Sequence, residues 1–174
     1  MKLRHALLLL LSTVAFAAHA QEKFKVSTLT FTRPAKWESL PAGGMRAAEL
    51  RISDPQTKEA IEIAFFHFGP ANGGGTEANV RRWLGLFKEQ GPALKQSVTQ
   101  VTTGRTPLTY VQAEGTYMKG APLDPNKTPM PGYALVGAII EAEGGHIFVR
   151  MTGSSAFVKT HLGDFKKMIE APLK

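Results

Sequence analysis

The 174-residue chain contains no cysteine. Disulfides, zinc ribbons and other thiolate metal sites, covalent haem attachment and thiol catalysis are therefore excluded, and the fold must hold itself together by packing alone. Histidine is scarce. His67, His146 and His161, those beyond residue 20, stand at no spacing that pairs two of them as ligands, so no metal is expected. Blocks of like charge are missing too. The 21 Lys and Arg against 14 Asp and Glu are scattered, with pairs such as Arg81-Arg82 and Lys166-Lys167 but no nucleic-acid-binding stripe. What remains is a mildly basic, solvated surface that suits anionic envelope polymers.

Beyond residue 20 no long apolar run occurs. Before it, Lys2 and Arg4 precede the apolar stretch Ala6 to Phe16, and Ala18-His19-Ala20 presents small residues where a signal peptidase reads. Residues 1–20 are thus expected to be a signal peptide cut between Ala20 and Gln21, leaving a periplasmic or secreted protein. The run is too short for a stable membrane span, and no cysteine follows it to take a lipid. Residues 21–174 are the size of one domain, which buries roughly 70% of its unfolded surface in a single core.

Strand-like stretches occur at Phe24 to Thr32, Met45 to Ser53, Ala60 to Phe68, Val98 to Thr102, Leu108 to Met118, Tyr133 to Glu143 and His146 to Thr152. Ala60 to Phe68 is apolar on both faces, which calls for a covered sheet. Two helices can cover it. Thr76 caps the first, whose stripe of Val80, Trp83, Leu84 and Phe87 ends at Gly91-Pro92, with Arg81, Lys88 and Glu89 on its outer face. The second starts near Ser154 or Ser155, buries Phe157 or Val158, Leu162, Phe165 and Ile169, and stops at Pro172. Gly144-Gly145 reads as a two-residue hairpin turn. The fold class is α+β: a mostly antiparallel sheet with a helix on each face, a three-layer α/β/α sandwich.

Phe31-Thr32-Arg33-Pro34-Ala35-Lys36-Trp37 resembles the opening of the PsbP-like superfamily, a strand, a proline, two residues and a tryptophan. The hairpin and amphipathic helix over Tyr133 to Ile169 are similar to the end of that fold. The helix segment Asn79-Val80-Arg81-Arg82-Trp83 is similar to one found in secreted bacterial proteins. The resemblance implies an accessory or binding protein and no enzyme, and carries over no functional residue.

Candidate sites follow from the residues. Gly73, Gly74 and Gly75 lie between a strand and a helix start, where amides and the positive helix end can hold an anion. Gly73-x-Gly75-x-x-Ala78 matches a dinucleotide fingerprint in spacing alone, without the parallel strand-helix-strand unit that the fingerprint needs. His67 ends the strand beside this loop, and Arg82 is off the apolar stripe, free for a charged contact such as Glu49 or Glu62. Lys119 to Gly132 is long and carries Pro122, Pro125, Pro129 and Pro131, so a projecting loop is expected, with Leu123, Asp124, Asn126, Lys127 and Met130 as its partner-binding residues. Ser154 and Ser155 lack a triad and are expected to cap a helix. No catalytic residue and no cofactor are expected. The leading expectation is a monomeric, non-enzymatic accessory or binding protein of the bacterial envelope, meeting a protein or polymer partner through a sheet edge and the Lys119 to Gly132 loop. The alternative is a small-ligand or anion binder, or a hydrolase, using His67, Gly73 to Gly75 and Arg82.

Overall fold

Alternating apolar residues build a sheet that is buried on both sides. The computed structural model describes residues 22–70, 72–121 and 124–174; the expected signal peptide and its cut at Ala20-Gln21 lie outside the described residues. The elements are β1 (Lys23–Val26), β2 (Leu29–Thr32), β3 (Glu38–Leu40), β4 (Arg46–Ser53), β5 (Ala60–His67), α1 (Thr76–Leu84), β6 (Lys95–Thr103), β7 (Thr106–Lys119), β8 (Thr128–Ile140), β9 (Ile147–Ser154) and α2 (Ser155–Glu170). Strands β3 to β9 form one sheet in the order β3-β4-β5-β9-β8-β7-β6, and every pairing is antiparallel. β1 and β2 form a separate hairpin.

In β5, Ile61, Ile63 and Phe65 face the layer that holds α2, whereas Phe66 faces the layer that holds α1. The α2 layer packs Val158, Phe165, Met168 and Ile169 onto the sheet together with Phe31 and Trp37. A turn closed by the Trp37 N–H on the Pro34 carbonyl (3.0 Å) drops the indole into this core. The α1 layer gathers Trp83 and Phe87 over Val111, Leu135, Ile139 and Phe148. Gly137 of β8 lies under the Trp83 ring, and a Cβ there would overlap it. The fold is an α+β sandwich with a mostly antiparallel sheet and a helix on each face.

Local corrections to the expected elements have physical causes. Phe24 to Thr32 is two strands, because Ser27 takes a φ of 54° in a tight turn and Val26 pairs with Leu29. α1 ends before Gly85, well short of Gly91. Leu86 to Lys88 leaves the helix and bonds to β7 instead, through Lys88 N–H to Thr116 O and Met118 N–H to Leu86 O (both 2.8 Å), so its backbone groups stay paired. Glu89, too, is beyond the helix. Gly75 is the N-cap of α1, and Thr76 Oγ1 donates to Glu141 (2.7 Å), tying the helix start to the link after β8. Ser154 precedes α2 but makes no capping hydrogen bond, and the hydroxyls of Ser154 and Ser155 are buried without a partner among the described residues. The β8–β9 link runs from Glu141 to His146, its turn closed by Gly145 N–H on Ala142 O (3.0 Å), so it is longer than a two-residue turn.

The largest correction concerns Lys119 to Gly132. β7 extends to Lys119 and β8 begins at Thr128, which pair with each other, so the loop proper is Gly120 to Lys127. Pro129 and Pro131 therefore sit in a strand. They are two residues apart, so both missing N–H groups fall on the same edge, and β9 ends at Ser154 opposite Tyr133, leaving that edge unpaired.

Candidate functional site

A cavity of about 620 Å³ opens on the α1 side of the sheet. Its floor is aromatic. Phe66 of β5 and Phe148 of β9 are directly paired, and strand alternation places Glu62 and Arg150 on the same face. Phe68, Trp83 and Tyr117 complete the apolar lining. Gly73 stands behind it with a φ of 88°, where a Cβ would fall 2.6 Å from the Phe68 ring and 2.9 Å from Phe148.

Three segments wall this floor. α1 supplies Asn79, Arg82 and Trp83, and the turn before β4 supplies Gly43 to Arg46, with Met45 standing 74% exposed at the rim. The third wall is the far end of the β7–β8 hairpin, from which Lys119, Gly120 and Ala121 reach the cavity. Lys119 Nζ bonds to Glu62 of β5 (3.1 Å), although two strands lie between β7 and β5 in the sheet. The hairpin end must therefore curl over the face. An irregularity in the pairing between Gly115 and Tyr117 provides the bend, and Glu89 braces it by accepting the Thr116 N–H (2.8 Å). That bond holds the Glu89 carboxyl below its ordinary range.

Four cations line the cavity: Arg46, Arg82, Lys119 and Arg150. Two are neutralised, Arg46 by Glu49 (3.0 Å) and Lys119 by Glu62. The other two make no ion pair among the described residues. Arg150 lies over the Phe66 ring at 5.9 Å from its centroid. Arg82 Nη1 donates to the side-chain oxygen of Asn79 (2.6 Å), a neutral acceptor, so its charge is oriented but not cancelled. Asn79 is 3% exposed and itself fixed, its amide nitrogen donating to the carbonyls of Gly73 (2.9 Å) and Gly75 (3.0 Å). A smaller groove of about 360 Å³ beside α2 differs in this respect. There Lys95 pairs with Glu114 (2.7 Å) and holds that carboxyl below its ordinary range, so the groove's charges are largely spent on one another.

Of the residues singled out from the sequence, Arg82 lines the cavity, and its partner is Asn79, not Glu49 or Glu62. Gly73 and Gly75 turn carbonyls toward Asn79, and Gly74 lies between them. His67 is one residue out of phase with Phe66 and points to the opposite face, where its Nδ1–H donates to the His146 carbonyl (3.1 Å). Asp124 accepts the Asn126 N–H (2.8 Å) within the loop, Lys127 is half-buried, and Met130 packs against the α1-side core. Leu123 lies outside the described residues. His161 stands edge-on to Phe157 and Trp37. Arg46, Asn79, Lys119 and Arg150 were not foreseen. The signal for Arg150 was available, since it alternates in phase with Phe148 along one strand.

No family model and no curated protein sequence matches the chain. Solved structures do. The solution structure of cyanobacterial PsbP (CyanoP) from Synechocystis sp. PCC 6803 superposes with a TM-score of 0.53, covering 91% of this chain and 94% of that one at 9% identity. The chain has the PsbP-like fold. Identity this low carries architecture only, so the cavity has to be understood from its own residues. Among the described residues, no group of three His, Asp or Glu side chains is placed to hold a metal ion, and no helix is long and apolar enough to cross a membrane.

Proposed function

We propose that this PsbP-like chain is an exported, non-enzymatic accessory protein of the bacterial envelope that binds a small amphipathic anion, an apolar and preferably ring-bearing body with a carboxylate or similar head. The observation that carries this reading is the pair of cations without a carboxylate partner, Arg82 and Arg150, above the aromatic floor of a single cavity. Its volume is in the range of small-molecule sites, and apolar walls with a few convergent polar groups are their usual composition. A charged head would satisfy the guanidinium groups with charge-assisted hydrogen bonds, and the ring would stack on Phe66, Phe68 or Phe148. Cations that are held in place over an aromatic floor are suited to holding a ligand. The hairpin end at Lys119 to Ala121 also borders the cavity, so an envelope partner docking on the Gly120 to Lys127 loop would sense whether it is filled.

Trp83 in the wall offers the readout. Titration with 2-naphthoate should change its fluorescence saturably, Arg82→Ala and Arg150→Ala should each weaken binding about tenfold or more, and inorganic phosphate should compete poorly. Absence of saturable binding by aryl and alkyl carboxylates alike, or binding indifferent to both substitutions, would overturn the reading. Export is tested separately, by the intact mass of protein recovered from the envelope, which should begin at Gln21.

A further inference from the structure

The sheet has two outer edges and one overhang, and the chain treats them differently. β3 is only three residues long, a short edge that offers little to pair with. The overhang of β8 carries Pro129 and Pro131. β6 has neither protection. It runs nine residues, Lys95 to Thr103, with no proline and no irregularity in its pairing to β7, and eight of the nine are exposed. Among the described residues nothing pairs with its outer edge. Of the three large apolar side chains exposed among the described residues, Val98 (48%) and Val101 (40%) are both on this strand.

We infer that the outer edge of β6 is where two copies of this chain join, antiparallel about a two-fold axis at Thr99. An unguarded edge is a row of free N–H and C=O groups whose natural complement is another strand. The strand's composition selects its own copy. After Lys95 it is uncharged through Thr103, so two molecules of like net charge meet where charge is least, and no position asks for an oppositely charged partner. Antiparallel pairing places Lys95 opposite Thr103 of the other copy, away from the second Lys95, whereas parallel pairing would bring the two lysines together. Centring on Thr99 uses all nine residues, sets Ser97 against Val101 and Val98 against Gln100, and keeps the α1 layers of both copies on one side. The result is a single sheet running through both molecules, in place of the monomer expected from the sequence.

Sedimentation velocity across a concentration series tests this. The native protein should approach the mass of a dimer, and Thr99→Lys, which puts like charges directly opposite at an exposed position, should return it to the monomer with an unchanged circular dichroism spectrum and an unfolding midpoint that no longer depends on protein concentration. Because the chain has no other cysteine, Thr99→Cys should form an intermolecular disulfide on mild oxidation, while Lys88→Cys, on another part of the surface, should not. A native protein that stays monomeric at every concentration, a dimer that survives Thr99→Lys, or equal crosslinking of the two thiol variants would overturn the inference.

Discussion

The two faces of the sheet are covered by unequal means. On one side α2, 16 residues and about 24 Å long, lies with the β1–β2 hairpin and Trp37 over a continuous apolar surface. On the other, α1 has nine residues and spans about 14 Å, too short to roof strands as long as β7 and β8. The uncovered remainder is the cavity. Both layers hold a buried core, but closure is continuous in one and incomplete in the other, which leaves aromatic rings and two cations without a carboxylate partner lining an open cavity. The curled hairpin end and the Gly43 to Arg46 turn make walls where a longer helix would have filled the space.

Truncations should separate the layers. Phe165→Ala and Trp83→Ala each remove a buried aromatic and should each cost about 3–5 kcal/mol in denaturant unfolding. Phe165→Ala should leave 2-naphthoate affinity unchanged in the folded fraction, measured by calorimetry, whereas Trp83→Ala should alter it. Equal effects on binding would mean that the layers are not independent. Gly137→Ala forces a methyl against the Trp83 ring and should cost about 1–3 kcal/mol by overpacking, with thermal unfolding as the check. Arg82→Ala should shift stability by no more than about 0.5 kcal/mol, as surface changes do, while binding falls. A large stability loss would assign Arg82 to holding α1 through Asn79.

The smallest effect concerns the brace behind the cavity. The folded-state pKa of Glu89 is depressed, chiefly by the Thr116 N–H, so its contribution to stability is present above the unfolded glutamate value of about 4.3 and is lost as pH falls through the folded value. Glu89→Gln should therefore lower the unfolding midpoint slightly at neutral pH, and the gap to the native protein should narrow and close as pH falls below the ordinary glutamate range. A gap independent of pH would show that the side chain acts by packing and not by charge.

How much of this was legible depended on range along the chain. β5, β9 and α2 were readable because their periodicity is local, and the Pro34 to Trp37 turn is a short-range pattern that led to the right fold. The cavity was not, since it draws on Arg46, Phe66, Arg82, Lys119 and Arg150, and their meeting depends on β5 lying beside β9. No local pattern encodes that adjacency. The sequence puts His67 at the end of a strand beside the glycine loop and so in the expected pocket, because a strand end is easier to place than strand phase, and phase turns the side chain to the far side. Pro129 and Pro131 suggested a loop where an overhanging strand tolerates them.

The same adjacency bears on how the molecule assembles. Within the seven-stranded sheet, neighbours follow one another in sequence everywhere except at β5–β9, so the sheet is two meanders joined along one seam. Each meander closes through nearby hairpins, but the seam brings His67 against Ile147, nearly half the chain away, and of the strand pairings in this sheet it has the greatest loop-closure cost. Phe66 and Arg150 come from opposite sides of that seam, with α1 in the crossover between the meanders, so the cavity exists only where the two meanders have joined.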